Sequence, residues 1–524
     1  MKAIGKSMSL NCLADSILTV RTATALVGLS LPALYVALMA DEVEDVPAVR
    51  PHQRQALHAF LVQVGVLAIL EAQQTEPPTE AETWARLLRG LTPEYPDDEP
   101  WRLVVKNLSM PALLQPPVPE GKLEVLKECE ETPDALDMLV TSKNHDLKSQ
   151  RMVAAAPEHW FYALLTLQTL EGFLGAGNYG ISRMNGGFAS RPMIGLAPSD
   201  KMGARVRRDI RRLMAERSSI LEDNPGFSKA SGLRLLWLEP WDGVAPIAPK
   251  RLDPFYVEVC RRVRLIEVHG RIVARRATTK AARIDFPKNA NGVTGDPWTP
   301  IDQRKGGAKA LTIDGGGFHY KRVADLLDPQ QYKPAPLQRW RQDDGSEGLS
   351  LVLTATVRGQ GGTDGFHERR IPVPPTAVSW FGTQADALAS LAKARIQDTS
   401  AMRLKVLRTA LYVLFQNAPD KLNISHTVSE TKAAPFLAAF DRAVDRDFFE
   451  ALFAELAATK AATKIAARRK WLRDLKTLGA IQLEAAKAGT PRSSIRRYQA
   501  EGAADTKFEW AFRRQFPAAM ENNQ

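Results

Sequence analysis

Gly175, Gly177 and Gly180 in GAGNYGISRMNGG (175–187) stand at the spacing of a dinucleotide-binding fingerprint. That chemistry needs a strand before the first glycine, a helix opening at the last and an acidic residue closing a second strand. The sequence supplies a different context. PEHWFYALLTLQTLEGFL (157–174) carries Phe161, Leu164, Leu165, Leu167 and Leu170 at helical spacing, and Asn185, Gly186 and Gly187 interrupt any helix after the loop. A nicotinamide or flavin site is therefore rejected. RKGGAKALT, from Arg304, lacks the GK[ST] end of a phosphate-binding P-loop. His52, His58, His145, His159, His269, His319, His367 and His426 form no metal-ligand spacing, and each reads as a surface or satisfied core residue. No GxSxG elbow occurs, and Asp97-Asp98 and Asp343-Asp344 lie in turn-like polar segments that read as solvated. No catalytic centre, metal or cofactor is expected.

The chain of 524 residues is long enough for two or more domains with a substantial core. Seventy Lys and Arg against fifty-nine Asp and Glu leave +11, which favours a polyanionic partner without choosing between nucleic acid and anionic membrane. Cys12, Cys129 and Cys260 lie far apart with no CxxC pair, which argues against disulfides and a thiolate zinc site and fits a reducing cytoplasm. The apolar stretch ALVGLSLPALYVALMA from Ala25 contains Pro32 and falls short of the roughly 20 residues of a membrane span. It also lies too far along the chain to read as a signal peptide.

The elements that would position a site follow from periodicity. Ser30 before Leu31 and Pro32 predicts a helix start, and QALHAFLVQVGVLAIL, apolar nearly all round, predicts a second core helix. In SDKMGARVRRDIRRLMAERSS, Ser199 and Asp200 read as caps. Val206, Ile210, Leu213 and Met214 make an apolar stripe opposite Arg205, Arg208, Arg211 and Arg212, which read as a solvated face. After residue 250 the period falls to two: YVEVCRRVRLIEV, His269-Gly270 and RIVARRA predict a hairpin, and LSLVLTATV with FHERRIPV a second strand pair around RGQGGTDG. From about Gln384, four long amphipathic segments with short joints predict an antiparallel bundle. Between Lys460 and Arg497 eleven Lys or Arg face only Asp474 and Glu484, a helix surface that is either solvated or applied to phosphates. The expected fold class is α+β: a large mixed domain of helices and antiparallel hairpins over 1–378, then a four-helix bundle over 379–524.

Two core helices, the polar loop TSKNHDLK, the glycine loop SRMNGG, the hairpin at His269-Gly270, RGQGG followed by HERR, and a terminal bundle resemble, in that order, the CasA family. These are the large subunits of the type I-E CRISPR Cascade surveillance complex. The resemblance implies a non-enzymatic function. The subunit would recognise the protospacer-adjacent motif of double-stranded target DNA through the minor groove and help open the duplex for guide RNA (crRNA) pairing. It would also help recruit a helicase-nuclease. Its partners would be the guide RNA, the target duplex, the backbone, handle-binding and small subunits of Cascade and that helicase-nuclease, in the cytoplasm and away from membrane. It places Arg183, Met184, Asn185 and Gly186 at the groove, Arg183 either as a groove cation or on a phosphate, with Arg271 or Lys280 in the role of a DNA-facing lysine. It makes Gln360, between Gly359 and Gly361, a wedge under the first base pair to open, and Lys143, Asn144 and His145 contacts to the guide RNA. Two other readings stay open: a nuclease whose carboxylates are dispersed in sequence, and a helical scaffold that binds RNA alone.

Overall fold

The computed structural model describes residues 10–137, 139, 152–187, 190–304, 306–345, 347–359, 362–490 and 493–520. It is mixed helix and sheet, in two compact units: Met1–Phe318 with Gln330–Pro372, and His319–Pro329 with Val373–Gln524. The short excursion His319–Pro329 has no counterpart in the division at 378/379 expected from sequence.

In the first unit the hairpin β1 (Leu18–Arg21)/β2 (Leu26–Leu29) leads into α1 (Leu31–Met39), whose N-cap Ser30 accepts from the Ala33 amide at 3.4 Å. Helix α2 (Arg54–Glu71) is buried on every face from Gln55 to Ile69, as its apolar circumference requires. With the 3-10 turn before it, it is long and apolar enough to cross a membrane, but here 89% of that window is buried inside the protein, as in a core helix. Helices α3 (Ala81–Gly90), α4 (Pro157–Leu170) and α5 (Met202–Asp223) pack on it. Gly203 lets α5 cross α1 closely, because a Cβ there would meet the Leu38 carbonyl oxygen at 2.0 Å.

Three strands, β3 (Glu128–Glu130), β8 (Arg271–Ala277) and β7 (Arg262–Val268), form one antiparallel sheet in that order. The order β13 (Gly362–Val373), β12 (Leu349–Gly359), β4 (Met193–Ala197) forms another, with Leu351 opposite Leu196. Shorter pairs are β5 (Leu233–Leu235) with β6 (Leu252–Val257) and β10 (Lys309–Ala310) with β9 (Ile301–Asp302) and β11 (Tyr332–Lys333).

Helix α5 departs from expectation twice. Its N-cap is Lys201, not Ser199 or Asp200, and Arg205, Arg208 and Arg212 are buried rather than solvated. The acids read as a solvated turn, Asp343-Asp344, are the partners of Arg208 and Arg212. Arg208 donates to Asp209 at 2.9 Å, to Asp344 at 2.8 Å and to the carbonyls of Leu337 and Arg339, while Arg212 reaches Asp343 at 2.7 Å. Burial opposes the Asp344 charge, but the hydrogen bond and charge of Arg208 outweigh it and hold its carboxyl below the usual range. Asp98, likewise read as solvated, is buried and paired with Arg89 and Asn11. His58 completes the network at 2.8 Å from Asp209, and burial, reinforced by Arg205, lowers its pKa to about 4.

In the second unit, α7 (Ala385–Ala401) runs through a π-helical segment (Met402–Leu407) into α8 (Arg408–Phe415). With α9 (Thr427–Ala457), α10 (Ala461–Ala488) and α11 (Ser494–Gln515) it makes the four helical arms expected from sequence. Arg395 is fully buried, bonded to Glu455 at 2.6 Å and lying over Trp471 at 4.8 Å. The excursion carries α6 (Tyr320–Leu326), where the Tyr320 hydroxyl donates to Asp441 at 3.0 Å and its ring meets Phe448 at 4.9 Å.

Removing one partner of a buried ion network strands the rest, whereas an exposed pair contributes little. Denaturant titration is therefore expected to show Arg208→Ala losing about 3–5 kcal/mol, and Arg211→Ala, whose pair with Glu76 is solvent-exposed, less than about 1 kcal/mol. The His58 shift sets a second expectation. The unfolded chain takes a proton near 6.5 that the folded imidazole refuses until about 4, so His58 lowers stability as pH falls through that window. His58→Gln should flatten the fall in unfolding free energy between pH 6.5 and 4 relative to wild type.

Candidate nucleic-acid interface

Helix α4 ends at Leu170, and the bridge between Glu171 and Ser190 closes the loop that follows. Inside it the Phe173 amide donates to Gly187 at 2.8 Å and the Ile181 amide to Glu171 at 3.0 Å. Gly175, Gly177, Gly186 and Gly187 all have φ between 56° and 106°, and a Cβ at Gly180 would meet the Gly172 carbonyl carbon at 2.4 Å. These glycines shape a self-packed loop, for which the residue type is a steric requirement. The dinucleotide reading stays rejected, since a helix precedes the loop and no helix opens at its last glycine.

The loop root is clasped from β6 and its exit. The Ser182 amide donates to Glu258 Oε1 at 2.7 Å, and the Ser182 hydroxyl lies 2.9 Å from Glu258 Oε2 and 2.8 Å from Tyr256 Oη. Arg183 corrects the sequence expectation. It is 1% exposed, its guanidinium stacks over Tyr256 at 3.9 Å, and it donates to the Pro254 carbonyl at 3.0 Å, so it faces inward rather than toward a groove or phosphate. Met184 is also buried, against Gly292, where a Cβ would meet the Met184 carbonyl carbon at 2.2 Å. The exposed tip is Gly186 and Gly187, with Asn185 half-buried beside them.

The hairpin β7/β8 turns where expected, with Val268 opposite Arg271 and both His269 (φ 51°) and Gly270 (φ 76°) left-handed, as a two-residue hairpin turn demands. Its far end touches the glycine loop: the Thr279 amide donates to the Gly177 carbonyl at 2.9 Å. Lys280, exposed, is the next residue. Arg271 sits at the opposite end of β8, roughly 20 Å away at the usual rise per residue, and donates to the Val153 carbonyl at 3.4 Å. Arg276 is engaged by Glu128 and Glu130, and Arg275 by the Leu126 carbonyl. Of these basic residues, Lys280 is the one brought to the loop.

Strand β12 is stitched to the loop stem. The Ser190 amide donates to Thr356 at 2.9 Å and the Thr356 amide to Ser190 Oγ at 2.7 Å. Arg358 then pairs with Glu171 at 2.8 Å. Gly359, exposed, ends β12 and Gly362 opens β13. Gln360 and Gly361 lie outside the described residues, as do Lys143, Asn144 and His145. Of the downstream landmark, Arg369 donates to the Phe318 carbonyl and Arg370 pairs with Asp200, while Glu368 is exposed.

Glu171 lies between two arginines, Arg358 and, at 3.6 Å, Arg261; burial nonetheless pushes its carboxyl up. Neither Glu171 nor Glu258 was singled out from sequence. The available signal for Glu258 is an acid inside the apolar run PFYVEVC. Among the described residues no group of three or more His, Cys, Asp or Glu could hold a metal ion.

The sequence model of the family described as CRISPR-associated protein Cse1 matches residues 237–480. The structure of Cse1 from Acidimicrobium ferrooxidans is similar at a TM-score of 0.66 and 15% identity, over 98% of this chain and 100% of that one. Cse1 of Thermobifida fusca gives 0.65 at 14%, over 98% and 99%, and CasA of Thermus thermophilus gives 0.62 at 13%, over 96% and 99%. No curated protein sequence matches. Residues 237–480 thus carry the sequence signature of the Cse1 family, and the chain shares the fold of the Cse1 and CasA structures over nearly its whole length.

Proposed function

We propose that this chain is a non-catalytic large subunit of an RNA-guided Cascade complex that recognises a short motif in duplex DNA and begins strand separation there. The match of residues 237–480 to the Cse1 family model supports this reading. The observation that carries the reading is the convergence at Glu171: the glycine-loop stem and the β12 end meet on one buried carboxylate, and Thr279, the residue before Lys280, bonds the loop at Gly177. A side-chain-free tip at Gly186-Gly187 suits approach to a narrow minor groove, whose degenerate acceptor pattern Asn185 can read. Lys280 supplies a phosphate contact beside it. Gln360 follows Arg358 by two residues in the sequence, and the resemblance gives it the role of the wedge.

Arg271 serves as a separate backbone contact along the duplex, and Lys143, Asn144 and His145 contact the guide RNA. The other Cascade subunits complete the assembly in the cytoplasm, and the bound complex helps recruit the helicase-nuclease.

The test is binding by the reconstituted complex, at several salt concentrations, to a motif-bearing duplex and a scrambled one, with a probe of strand opening. Lys280→Ala should weaken both duplexes alike and reduce the salt slope by about 1. Asn185→Ala should cut discrimination about tenfold, and Gln360→Ala should slow opening while discrimination stays. A wild-type complex indifferent to the motif overturns the reading in favour of an RNA-binding scaffold. Magnesium-dependent DNA cleavage by the purified chain overturns it in favour of a nuclease.

A further inference from the structure

Two consecutive residues of the glycine loop, Ser182 and Arg183, are fixed to β6 and its exit by five contacts. Glu258 takes both polar groups of Ser182, at 2.7 and 2.9 Å; Tyr256 takes the same hydroxyl at 2.8 Å and the Arg183 guanidinium on its ring face at 3.9 Å; and the Pro254 carbonyl takes an Arg183 N–H at 3.0 Å. From there the chain has little freedom before its tip. Met184 is wedged against Gly292, and the Gly186 amide closes back on the Met184 carbonyl at 2.9 Å. Asn185, Gly186 and Gly187 are thus presented from a foundation whose acidic member is completely enclosed. Packing alone would not ask for a carboxylate there, since an apolar side chain of similar volume often holds a core as well or better.

We propose that Glu258 is a positioning residue for DNA readout: by clamping Ser182 it holds the Asn185–Gly187 tip in one conformation, and motif discrimination depends on that clamp although the carboxylate never reaches DNA. The inference rests on the function proposed above.

The electrostatics around the clamp give it a direction with pH. The groups facing Glu258 are Arg183 from the loop, Arg191 from the loop's return strand with its partner Asp296, and Tyr256 and Cys260 from its own segment. Burial pushes the Glu258 carboxyl up to about 7, against the hydrogen bonds of Ser182 and the charges of Arg183 and Arg191. The neutral acid can accept the Ser182 amide on one oxygen and donate its proton to Ser182 Oγ, which turns its own hydrogen to Tyr256 Oη. All three short contacts survive. A loop that lifts away returns the carboxyl to water and to its ordinary value of 4.5. The closed loop therefore binds the proton more tightly, and by linkage its closure is complete at low pH and weakens as pH rises through about 7.

The experiment compares wild type, Glu258→Ala and Glu258→Gln in the reconstituted complex from about pH 5 to about pH 8, a range that spans the shift of the Glu258 carboxyl. It reads the affinity ratio for motif over scrambled duplex and, on the isolated chain, amide exchange at residues 182–187. Glu258→Ala is expected to lower the ratio roughly 5–10-fold, leave scrambled-duplex affinity unchanged and speed exchange of those amides. Glu258→Gln, with an amide N–H in place of the acid proton, is expected to keep the ratio and lose its decline between about pH 5 and 7, which rescues function even if the alanine variant folds poorly. Unaltered exchange and an unaltered ratio in Glu258→Ala, or a Gln variant with the wild-type pH profile, overturn the proposal. A wild-type complex with no motif preference, together with faster exchange in Glu258→Ala, instead overturns the functional reading and removes the readout role, leaving the clamp as loop architecture.

Discussion

A single buried carboxylate ties together the parts of this molecule that face the proposed interface. Glu171 is almost fully enclosed, and an ion of that kind survives only with partners in place. Arg261 and Arg358 supply them, and Arg261 adds a 2.7 Å bond to the Gly172 carbonyl. Three distant stretches of chain are thereby obliged to meet: the exit of α4, the entry to β7 and the end of β12. Losing Glu171 leaves two buried guanidinium groups without the carboxylate between them. The glycine-loop stem and the end of β12 are consequently referenced to one point and not to separate elements.

The arginines show how a formal charge can mislead. Arg183, Arg191, Arg264, Arg283 and Arg395 are each almost completely buried. Arg264 donates to the carbonyls of Met110, Val105 and Asn107, and Arg283 to those of Pro240, Leu236 and Glu239. Their planar forks gather backbone oxygens that irregular segments would otherwise leave bare. These guanidinium groups act as internal mortar and are not themselves available to a polyanion.

Local patterns were legible and distant pairings were not. The bundle arms, α2, α4 and the β7/β8 hairpin follow from periods of 3.6 and 2 and from turn chemistry at Gly270, all of which lie within a few residues of the element they specify. The glycine loop was recognisable as a loop, but the direction of Arg183 depends on Tyr256, 73 residues on. The stripe of arginines on α5 looked solvated because its partners, Asp343 and Asp344, come from a turn about 130 residues later. Arg271 and Lys280 looked equivalent in sequence, and only the length of β8 separates them. Gln360 and the Lys143–His145 stretch fall outside the described residues, so their placement rests on the resemblance.

Helix α6 reaches its partners on α9 only after a delay. Tyr320 donates its amide to Asp445, 125 residues further along. At ribosomal speeds of about 5–20 residues per second, that acid follows roughly 6–25 s behind the tyrosine. During that interval the aromatic face that later covers Phe448 has no mate. The helical unit is therefore not wholly C-terminal: a nascent chain keeps an early segment in reserve for it, and a chain started at Val373 lacks Tyr320 and its bonds to α9.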